Sequence, residues 1–371
     1  MTYAALTGWG KCMPPAVLAP ADLATFMETD DAWITTRTGI KERRVSHVPL
    51  TQLAHVAPAR ALACAGLDAK DLDLIVLGSC SYDEQVPNAA SGVQSLLGAN
   101  AAAAMDVNTA CTSFLYGLSS ATALIRTGVV RNAVVIGVEV ISPFMDWSNR
   151  NVAVLFGDGA AAVVLQASQE PLGVLGEKLG CYADARHILR VRGMGAAYAN
   201  RDVRVGDTQW DFDGQEIFKK AVHGMADASA AALAKAGVAI GDIDLVVPHQ
   251  ANLRIIESVG KRIGASHDRV FLTVERYGNM SAATVPVALV DAIAEGRVKP
   301  GAKILTPAFG GGLTWCAHVI QWGDRTEPLA ESAVDLVPCD RTALEMVRAV
   351  IEAKRPAGRS AAGLAAPLST P

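Results

Sequence analysis

The fold is decided by the stretch Ala65-Gly-Leu-Asp-Ala-Lys-Asp-Leu-Asp-Leu-Ile-Val76, which the chain repeats as Ala236-Gly-Val-Ala-Ile-Gly-Asp-Ile-Asp-Leu-Val-Val247. In the first copy a helical segment over 51–65 leads into Leu72–Gly78, a nearly continuous apolar run. Such runs are typical of strands that are buried on both faces of a sheet. The two copies are offset by 171 residues (65 to 236), which suggests an internal duplication.

Two further pairs of segments repeat at nearly the same offset. Leu97-Gly98-Ala99 returns as Ile263-Gly264-Ala265, 166 residues on (98 to 264). Thr127-Gly128 returns as Glu295-Gly296, 168 residues on (128 to 296). Three similar offsets predict two similar α/β halves packed together. Because pockets favour the interfaces between domains, we expect the functional site where the halves meet.

The composition favours a compact enzyme. The chain has 371 residues, of which 51% are hydrophobic and 19% charged, and its net charge is −4, so it lacks a global basic field for nucleic acid. Its seven cysteines are scattered without the spacing of a metal site, which favours reduced thiols in the cytoplasm and no bound metal. The N-terminal residues lack a signal-peptide pattern, and no apolar run is long enough for membrane insertion.

Strands that alternate with helices predict an α/β architecture with buried sheets. Further strands are predicted at Ala133–Val138, Ala161–Leu165 and Lys303–Leu305, a helix and turn over 22–37, and a helix near 88–97. Residues 180–210 have no clear period and are predicted to form a long loop or cap. Beyond about residue 324, the pattern predicts an amphipathic helix over 340–354 and then a disordered end.

Cys111 is the candidate nucleophile. It follows the short strand-like segment Met105–Val107 and opens a long apolar segment of helical period that extends to Gly128. Ionisation of a thiol to the thiolate is favoured at a helix N-terminus, because the backbone N–H groups and the helix dipole stabilise the negative charge. The alternative is a buried structural cysteine, since free cysteines are among the most buried residues.

The second half supplies three candidate partners for a nucleophile. His249 follows a buried strand in Val246-Val-Pro-His-Gln-Ala-Asn-Leu-Arg254, at the strand end where α/β sheets place their ligands, although a structural histidine is the alternative. Asn279 follows a glycine in Arg276-Tyr-Gly-Asn-Met-Ser-Ala-Ala-Thr-Val-Pro286, where a plain helix cap is the alternative. Ala308-Phe-Gly-Gly-Gly-Leu-Thr-Trp315 allows backbone N–H groups to point at an oxyanion, or is simply a tight turn.

Four motifs occur in this order: A-C-T-S-F, P-H-Q-A-N-L-R, Y-G-N-M-S-A-A and F-G-G-G-L-T-W. Together they resemble the thiolase-fold condensing enzymes, specifically β-ketoacyl-acyl-carrier-protein synthase III, over about residues 1–323. The resemblance implies an α/β, duplicated five-layer α-β-α-β-α fold. It also implies an N-terminal half over 1–170 that carries the nucleophile, a C-terminal half over 171–323 with the histidine and asparagine, and an extension over 324–371.

The resemblance also implies catalytic roles. Cys111 is expected to take the primer acyl group, and the N–H groups of Cys111 and Gly311 to form the oxyanion hole. His249 and Asn279 are expected to bind the malonyl thioester carbonyl and to drive decarboxylation. The implied enzyme is an acyltransferase that joins an acyl-CoA to malonyl-acyl-carrier protein as a homodimer, with no cofactor. A related condensing enzyme or acyltransferase of secondary metabolism that uses a longer acyl-CoA is the alternative, and a silent scaffolding protein is less favoured because all four motifs are intact.

Binding sites follow from the same resemblance. The implied coenzyme A site comprises Trp33, Arg37, Thr38, Arg150, Gly214 and Asn252, with the adenine between Trp33 and Arg150. A surface tryptophan covered by an arginine is the alternative. A basic rim for the acidic carrier protein would comprise Lys219, Arg254, Lys261 and Arg262, unless these residues simply form a solvated helix face. The acyl pocket would include Val86 and Phe309, and the small side chain at position 86 favours a longer or branched primer.

Overall fold

The structure, a computed structural model, describes residues 1–199 and 206–354. The strands are β1 Tyr3–Cys12, β2 Ala16–Leu18, β3 Arg43–Val45, β4 Leu74–Gly78, β5 Ala103–Val107, β6 Asn132–Glu139, β7 Gly159–Ser168, β8 Gly173–Cys181, β9 Leu189–Arg192, β10 Gln209–Phe212, β11 Leu245–Val246, β12 Lys303–Gly310 and β13 Thr314–Gln321. The helices are α1 Pro20–Leu23, α2 Asp31–Thr38, α3 Leu50–Ala65, α4 Ala89–Leu97, α5 Ser113–Arg126, α6 Arg150–Ala153, α7 Gly214–Ala236, α8 Leu253–Ile263, α9 Val274–Tyr277, α10 Thr284–Ala294 and α11 Ala343–Lys354.

The large sheet consists of two groups of strands with the same pairing pattern. In the first group β4 and β6 are parallel, whereas β6, β7 and β1 are successively antiparallel. In the second group β11 and β12 are parallel, whereas β12, β13 and β8 are successively antiparallel. The two groups meet where Ala4 pairs with Gly173. The repeated pairing is the three-dimensional counterpart of the repeated sequence.

The core is arranged in the five layers of the thiolase fold. Helices α3 and α4 cover the outer face of the first strand group. Helices α5 and α10 lie between the two strand groups, where Phe114, Leu118 and Leu289 are buried in the central hydrophobic cluster. Helix α7 covers the outer face of the second group through residues such as Ala228 and Ala232. Each strand group is therefore covered by helices on both faces, which explains why its strands are apolar.

The duplicated stretch adopts the same local structure in both copies. Helix α3 ends at Gly66 with φ of 64°, and helix α7 ends at Gly237 with φ of 68°. Glycine adopts this left-handed conformation without the steric cost that a side chain would bring, and it commonly ends a helix. A short turn then leads into the buried strand β4 or β11.

Two predicted segments are wrong in detail. The helix and turn expected over 22–37 are two separate helices, α1 and α2. The expected loop over 180–210 contains β9 and β10, which pair antiparallel from Leu189 with Phe212 to Arg192 with Gln209. Neither strand has a buried residue, so both lack the alternation of buried and exposed positions that would have indicated a strand. Part of the expected loop, residues 200–205, lies outside the described residues.

The C-terminal extension packs against the first half. Leu329 N donates to the carbonyl oxygen of Cys64 at the end of α3 (3.1 Å). The helix predicted over 340–354 corresponds to α11, whose Met346 and Val347 are buried in a hydrophobic cluster with Trp147 and Val154. The end predicted to be disordered lies outside the described residues. Among the described helices, none is both long and apolar enough to span a membrane.

Candidate active site

Cys111 lies in a tight turn rather than in a helix. The turn is a short 3₁₀ segment, Ala110–Thr112, and α5 begins after it at Ser113. Ala110 has φ of 51°, a left-handed conformation that costs an L-residue about 1–2 kcal/mol. Ser113 Oγ donates to Ala110 O (2.7 Å) and accepts from Thr109 N (2.9 Å), so it holds this turn closed. Strained backbone of this kind is a common feature of functional sites.

Backbone N–H groups favour the Cys111 thiolate as expected, but burial of the thiol outweighs them. Although Cys111 as a whole is only partly buried, loss of hydration raises the pKa of its thiol to about 12. The Ser281 hydroxyl and the N–H groups of Cys111 and Gly311 lower this pKa, but less than desolvation raises it. The buried Glu139 carboxyl nearby raises it further. Desolvation disfavours the charged form and outweighs the turn's N–H groups, so the thiol is protonated near neutral pH.

His249 follows β11 and is anchored to β12. Its backbone N–H donates to Pro307 O (2.8 Å), and its side chain is only 3% exposed. Burial lowers the pKa of His249 to about 3, so its imidazole is neutral. The ring nitrogen Nδ1 lies 2.6 Å from Thr284 Oγ1. Among the described residues, Nε2 has no hydrogen-bond partner, so it is free to meet a substrate.

Asn279 does not cap the helix that follows it. Helix α10 begins only at Thr284, and the Asn279 side-chain oxygen accepts instead from Ser281 N (2.8 Å). Asn279 N donates to Leu155 O (2.8 Å), and its carbonyl accepts from Gly157 N (3.1 Å). These bonds fix the residue to the first half of the chain. Its amide nitrogen Nδ2 has no partner in the described part of the chain and remains available as a donor.

The glycine run contacts the Cys111 turn directly. A Cβ atom added at Gly310 would lie 2.7 Å from Cys111 N, so a side chain does not fit there. Thr314 comes just after the glycine run, and its hydroxyl is hydrogen-bonded to the Thr112 hydroxyl (2.8 Å). It also donates to the carbonyl oxygen of Thr109 (2.9 Å). The glycine run and the cysteine turn are thus held together although they belong to different halves.

Ser281 connects the candidate residues of both halves. Its N–H orients the Asn279 amide, and its carbonyl lies 3.0 Å from Thr284 Oγ1, which contacts His249. Its hydroxyl stabilises the Cys111 thiolate form. Ser281 has φ of 45°, which an L-residue rarely adopts, and this conformation lets one residue serve all three neighbours. The sequence contained Ser281 in the asparagine motif, but nothing in the pattern indicated this role.

Glu139 is a further site residue that sequence reasoning missed. It ends β6, is fully buried, and accepts from Ser79 Oγ (3.1 Å), Ser81 Oγ, Cys80 N (3.2 Å) and Ala282 N (3.4 Å). Burial raises the pKa of this carboxyl. The carboxyl joins the loops after β4 and β6 to the turn before α10. The sequence does contain a signal for this residue, namely an acidic side chain at the end of an otherwise apolar strand.

Two arginines contact the ring of Trp33, so the structure has the arrangement of the alternative, a tryptophan covered by an arginine, and leaves no space for a base between Trp33 and Arg150. The guanidinium carbons of Arg37 and Arg150 lie 4.8 and 4.7 Å from its ring centroid. Arg150 also donates to Glu28 O (2.6 Å) beside a groove of about 650 Å³ that is lined by Phe26–Glu28 and Ser148–Asn151. Thr38 is not part of this cluster, because its buried hydroxyl donates to Ile34 O (2.7 Å).

The other predicted binding residues lie on α7 and α8. Asn252 caps α8 by accepting from Ile255 N (3.0 Å), and Gly214 is exposed at the start of α7. The basic residues of the predicted rim are all exposed: Lys219, Arg254, Lys261 and Arg262. Lys219 is ion-paired with Glu216 (2.7 Å). Arg254 donates to Thr36 O on α2 (3.2 Å), so this rim adjoins the Trp33 cluster.

The two predicted acyl-pocket residues, Val86 and Phe309, differ strongly in burial. Val86 is 83% exposed, so the described residues do not enclose it. It lies between β4 and α4, in a segment without a helix or strand. Phe309 is 4% exposed and packs against α7 in a cluster with Leu313 and Ile217, rather than facing an open cavity.

Comparisons with known proteins agree with this architecture. Residues 105–183 match the family 3-oxoacyl-[acyl-carrier-protein] synthase III, and residues 233–322 match its C-terminal counterpart. The beta-ketoacyl-[acyl-carrier-protein] synthase III 2 of Vibrio cholerae is 49% identical over 350 residues, 94% of this chain and 97% of that protein. The synthase III of Roseiflexus castenholzii is 45% identical over 326 residues, 86% of this chain and 98% of that protein.

Solved structures give the same result. The synthase III of Aquifex aeolicus superposes with a TM-score of 0.80 at 38% identity, over 86% of this chain and all (100%) of that one. The priming β-ketosynthase of a polyketide biosynthetic pathway superposes with a TM-score of 0.82 at 30% identity, over 87% of this chain and 97% of that one. With the duplicated fold and the high coverage of its relatives, the chain belongs to the 3-oxoacyl-[acyl-carrier-protein] synthase III family.

Proposed function

We propose that the protein catalyses the decarboxylative Claisen condensation of an acyl-CoA primer with malonyl-acyl-carrier protein, the step that initiates fatty-acid synthesis. The single observation that carries this function is the position of Ser281. It contacts Asn279, Cys111, and the threonine Thr284 that hydrogen-bonds to His249. A nucleophile and two neutral donors from two halves of a chain thus surround one residue. The arrangement matches what such a condensation requires: a covalent acyl carrier and donors for an enolate.

In the first half-reaction Cys111 takes the acyl group. Its sulfur attacks the thioester carbonyl of the acyl-CoA, the bond from that carbon to the CoA sulfur breaks, and the thiol proton leaves with CoA. One thioester replaces another, so the acyl group stays activated. The N–H groups of Cys111 and Gly311 donate to the tetrahedral oxyanion, a contribution worth about 10²–10³ in rate for each such donor in other enzymes. Their effect on the pKa of the Cys111 thiol is of the same kind.

In the second half-reaction the malonyl thioester loses CO₂. The electron pair of the broken bond becomes an enolate, whose oxygen accepts from His249 Nε2–H and Asn279 Nδ2–H. Because the pKa of His249 is lowered to about 3, the imidazole is a neutral donor over the physiological range. The enolate carbon then attacks the acyl-Cys111 carbonyl, and the Cys111 sulfur leaves and takes up a proton. The product is a 3-oxoacyl chain on the carrier protein.

Substrate binding is assigned to the surface beside this site. Trp33, Arg37 and Arg150 would hold the nucleotide end of CoA, because a guanidinium and an indole both stack on a planar base. Gly214 and Asn252 would line the pantetheine channel, with Thr38 supporting α2 from within. The exposed basic rim on α7 and α8 would bind the acidic acyl carrier protein.

The remaining assignments concern the assembly. The homodimer is supported by Val86, whose 83% exposure suits a residue that a second subunit covers. The division into halves over 1–170 and 171–323 with an extension over 324–371 is supported by the pairing at Ala4 and Gly173. Seven free cysteines suit the reducing cytoplasm. The chemistry above uses side chains and backbone N–H groups, so it needs no cofactor, metal, nucleic acid or membrane.

A second candidate function is the same condensation, or an acyl transfer, with a longer acyl-CoA in secondary metabolism. It is favoured by the small side chain of Val86 and by the similarity to a polyketide priming synthase. The two functions differ in the primer and share the acyl-cysteine step.

An assay with graded acyl-CoAs separates these functions. The protein is incubated with acyl-CoAs of increasing length, with and without malonyl-acyl-carrier protein, while mass added at Cys111, CO₂ and 3-oxoacyl product are measured. C181S, which removes an exposed cysteine outside the site, is the control for C111S. We expect short-chain activity that C111S abolishes and C181S retains. A long-chain optimum supports the second function, whereas transfer without CO₂ release indicates an acyltransferase. No acylation with any chain contradicts both.

A further inference from the structure

Thr284 is buried at the start of α10 and contacts the imidazole of His249. Its Oγ1 lies 2.6 Å from His249 Nδ1 and 3.0 Å from the carbonyl oxygen of Ser281. The residue is fully buried, and His249 is 3% exposed, so water does not compete for these contacts. A threonine hydroxyl carries one proton and can therefore donate fully to one of these two acceptors.

The direction of this bond decides the chemistry of His249. If Nδ1 carries the imidazole proton, Nδ1 donates to Thr284, Thr284 donates to Ser281, and Nε2 is a bare acceptor. If Thr284 donates to Nδ1, the imidazole proton lies on Nε2, which becomes a donor. A neutral imidazole has one N–H, and the bond at one nitrogen determines what the other can do. The same side-chain positions thus define either a base or a hydrogen-bond donor.

We propose that Thr284 is a positioning residue that donates to His249 Nδ1 and so keeps the imidazole proton on Nε2. This inference rests on the proposed condensation, in which Nε2 must donate to an enolate oxygen. The carbonyl of Ser281 already accepts from the backbone N–H of Thr284, so it does not depend on the Thr284 hydroxyl proton. That proton is available for His249 Nδ1, which is also the nearer of the two acceptors, at 2.6 Å against 3.0 Å. A carbonyl with two lone pairs tolerates a weaker contact than a ring nitrogen with one.

The neighbouring turn orients the second donor in the same way. Ser281 N donates to Asn279 Oδ1 (2.8 Å), which leaves the Asn279 amide nitrogen free. The turn from Asn279 to Thr284 therefore fixes two side chains with their N–H groups free. One residue sets the direction of the amide, and the other sets the tautomer of the imidazole. A pair of neutral donors is the arrangement that stabilises a developing negative oxygen.

Kinetics of two variants test this role. T284V keeps the shape of the side chain but removes the hydroxyl, and T284S keeps the hydroxyl. We expect T284V to lower kcat for CO₂ release by about 10- to 100-fold, less than the ~10²–10³ that loss of an oxyanion donor costs. Acylation of Cys111 by acyl-CoA should stay within about twofold of wild type, and T284S should restore CO₂ release to within about threefold.

Three kinetic results would overturn the role of Thr284: wild-type CO₂ release in T284V, an equal loss of acylation and CO₂ release, or failure of T284S to restore the rate. An equal loss of both half-reactions is the pattern of a merely structural residue. Wild-type protein is measured in parallel, since absence of CO₂ release in wild type contradicts the proposed condensation and not the role of Thr284.

The tautomer itself is measured on wild-type protein, without an activity assay. Wild-type protein is labelled with ¹⁵N-histidine, and the nitrogen shifts of His249 are assigned by comparison with H249N. We expect a protonated, pyrrole-type Nε2 and an unprotonated, pyridine-type Nδ1 at pH 7, unchanged in T284S. A protonated Nδ1 with a bare Nε2 would overturn the proposal. This readout is independent of catalysis, so it tests Thr284 even if the condensation is wrong.

Discussion

Thr112 Oγ1 lies 2.8 Å from Thr314 Oγ1, although 202 residues separate the two in the chain. Thr112 belongs to the Cys111 turn, and Thr314 follows the glycine run. Thr314 Oγ1 also donates to Thr109 O (2.9 Å) and lies 3.1 Å from Gly311 O. The pair therefore fixes the spacing between the N–H groups of Cys111 and Gly311, the two donors assigned to the oxyanion hole.

The variant T314V tests this link. It removes the Thr314 hydrogen bond to the Thr109 carbonyl, while the Thr112 hydroxyl still donates to that carbonyl (2.8 Å), so we expect a loss of about 0.5–1.5 kcal/mol in the free energy of unfolding. Acylation of Cys111 should slow by about tenfold, because the donors lose their fixed spacing. Denaturant unfolding and the rate of mass gain at Cys111 measure the two effects.

The matched control is T306V on the same strand pair. Thr306 is buried on β12, and its hydroxyl has no hydrogen-bond partner among the described residues. Its replacement should leave both stability and acylation nearly unchanged or slightly improved. Equal losses in T314V and T306V would indicate that the Thr112–Thr314 contact has no special role.

The protonated resting state of Cys111 predicts a characteristic pH dependence. Only the thiolate reacts with iodoacetamide, and the pKa of Cys111 is raised to about 12. The alkylation rate at Cys111 should therefore be slow at pH 7 and rise about tenfold per pH unit up to the limit of protein stability. Mass spectrometry of the Cys111 peptide gives the rate, with exposed Cys181 as the internal reference. A plateau reached below pH 8 would show that the thiolate is already formed at neutral pH.

The duplicated halves could be predicted from sequence because the same local rule acts twice. A helix that ends at Gly66 or Gly237 and leads into a buried strand leaves a recognisable pattern of residues in each copy. The four motifs likewise indicated Cys111, His249, Asn279 and the glycine run as candidates. These features are carried by contiguous residues, and a single sequence displays them.

The environment of the site could not be predicted in the same way. The pKa of Cys111 is raised because distant residues exclude water from it, and burial by distant residues has no local sequence signal. Glu139 and Thr284 act through partners 58 and 35 residues away. The β9–β10 hairpin was missed because its half-buried strands show no apolar alternation. Each failure reflects a tertiary contact rather than a local preference.

The Trp33 cluster predicts a defect that depends on the nucleotide of the substrate. W33A removes the ring that Arg37 and Arg150 both contact, so binding of the planar base should weaken by about 1–2 kcal/mol. That corresponds to a KM for acyl-CoA about 5- to 30-fold higher, with kcat little changed. Steady-state kinetics with acyl-CoA and with an acyl N-acetylcysteamine thioester, which lacks the nucleotide, separate the effects. Equal losses with both thioesters would contradict a nucleotide-binding role.

We expect the C-terminal extension, through α11, to contribute to the free energy of unfolding. Met346 on α11 is buried against the cluster that contains Trp147 and Val154, so M346A should lower the free energy of unfolding by about 2–4 kcal/mol. Glu352 is exposed on the same helix, and E352A should change it by less than about 0.5 kcal/mol. Denaturant unfolding measures both. Similar small changes in the two variants would mean that α11 is not firmly packed.

The central claim, that Cys111 carries the acyl chain between the two half-reactions, is tested most directly by a chase. The protein is first acylated with acyl-CoA, freed of excess substrate and then mixed with malonyl-acyl-carrier protein, while the mass of the Cys111 peptide is followed in time. The account predicts an acyl adduct on Cys111 that disappears as CO₂ and an equal amount of 3-oxoacyl product appear, and no adduct in C111S. An adduct that persists during the chase, or product formation by C111S, would contradict it.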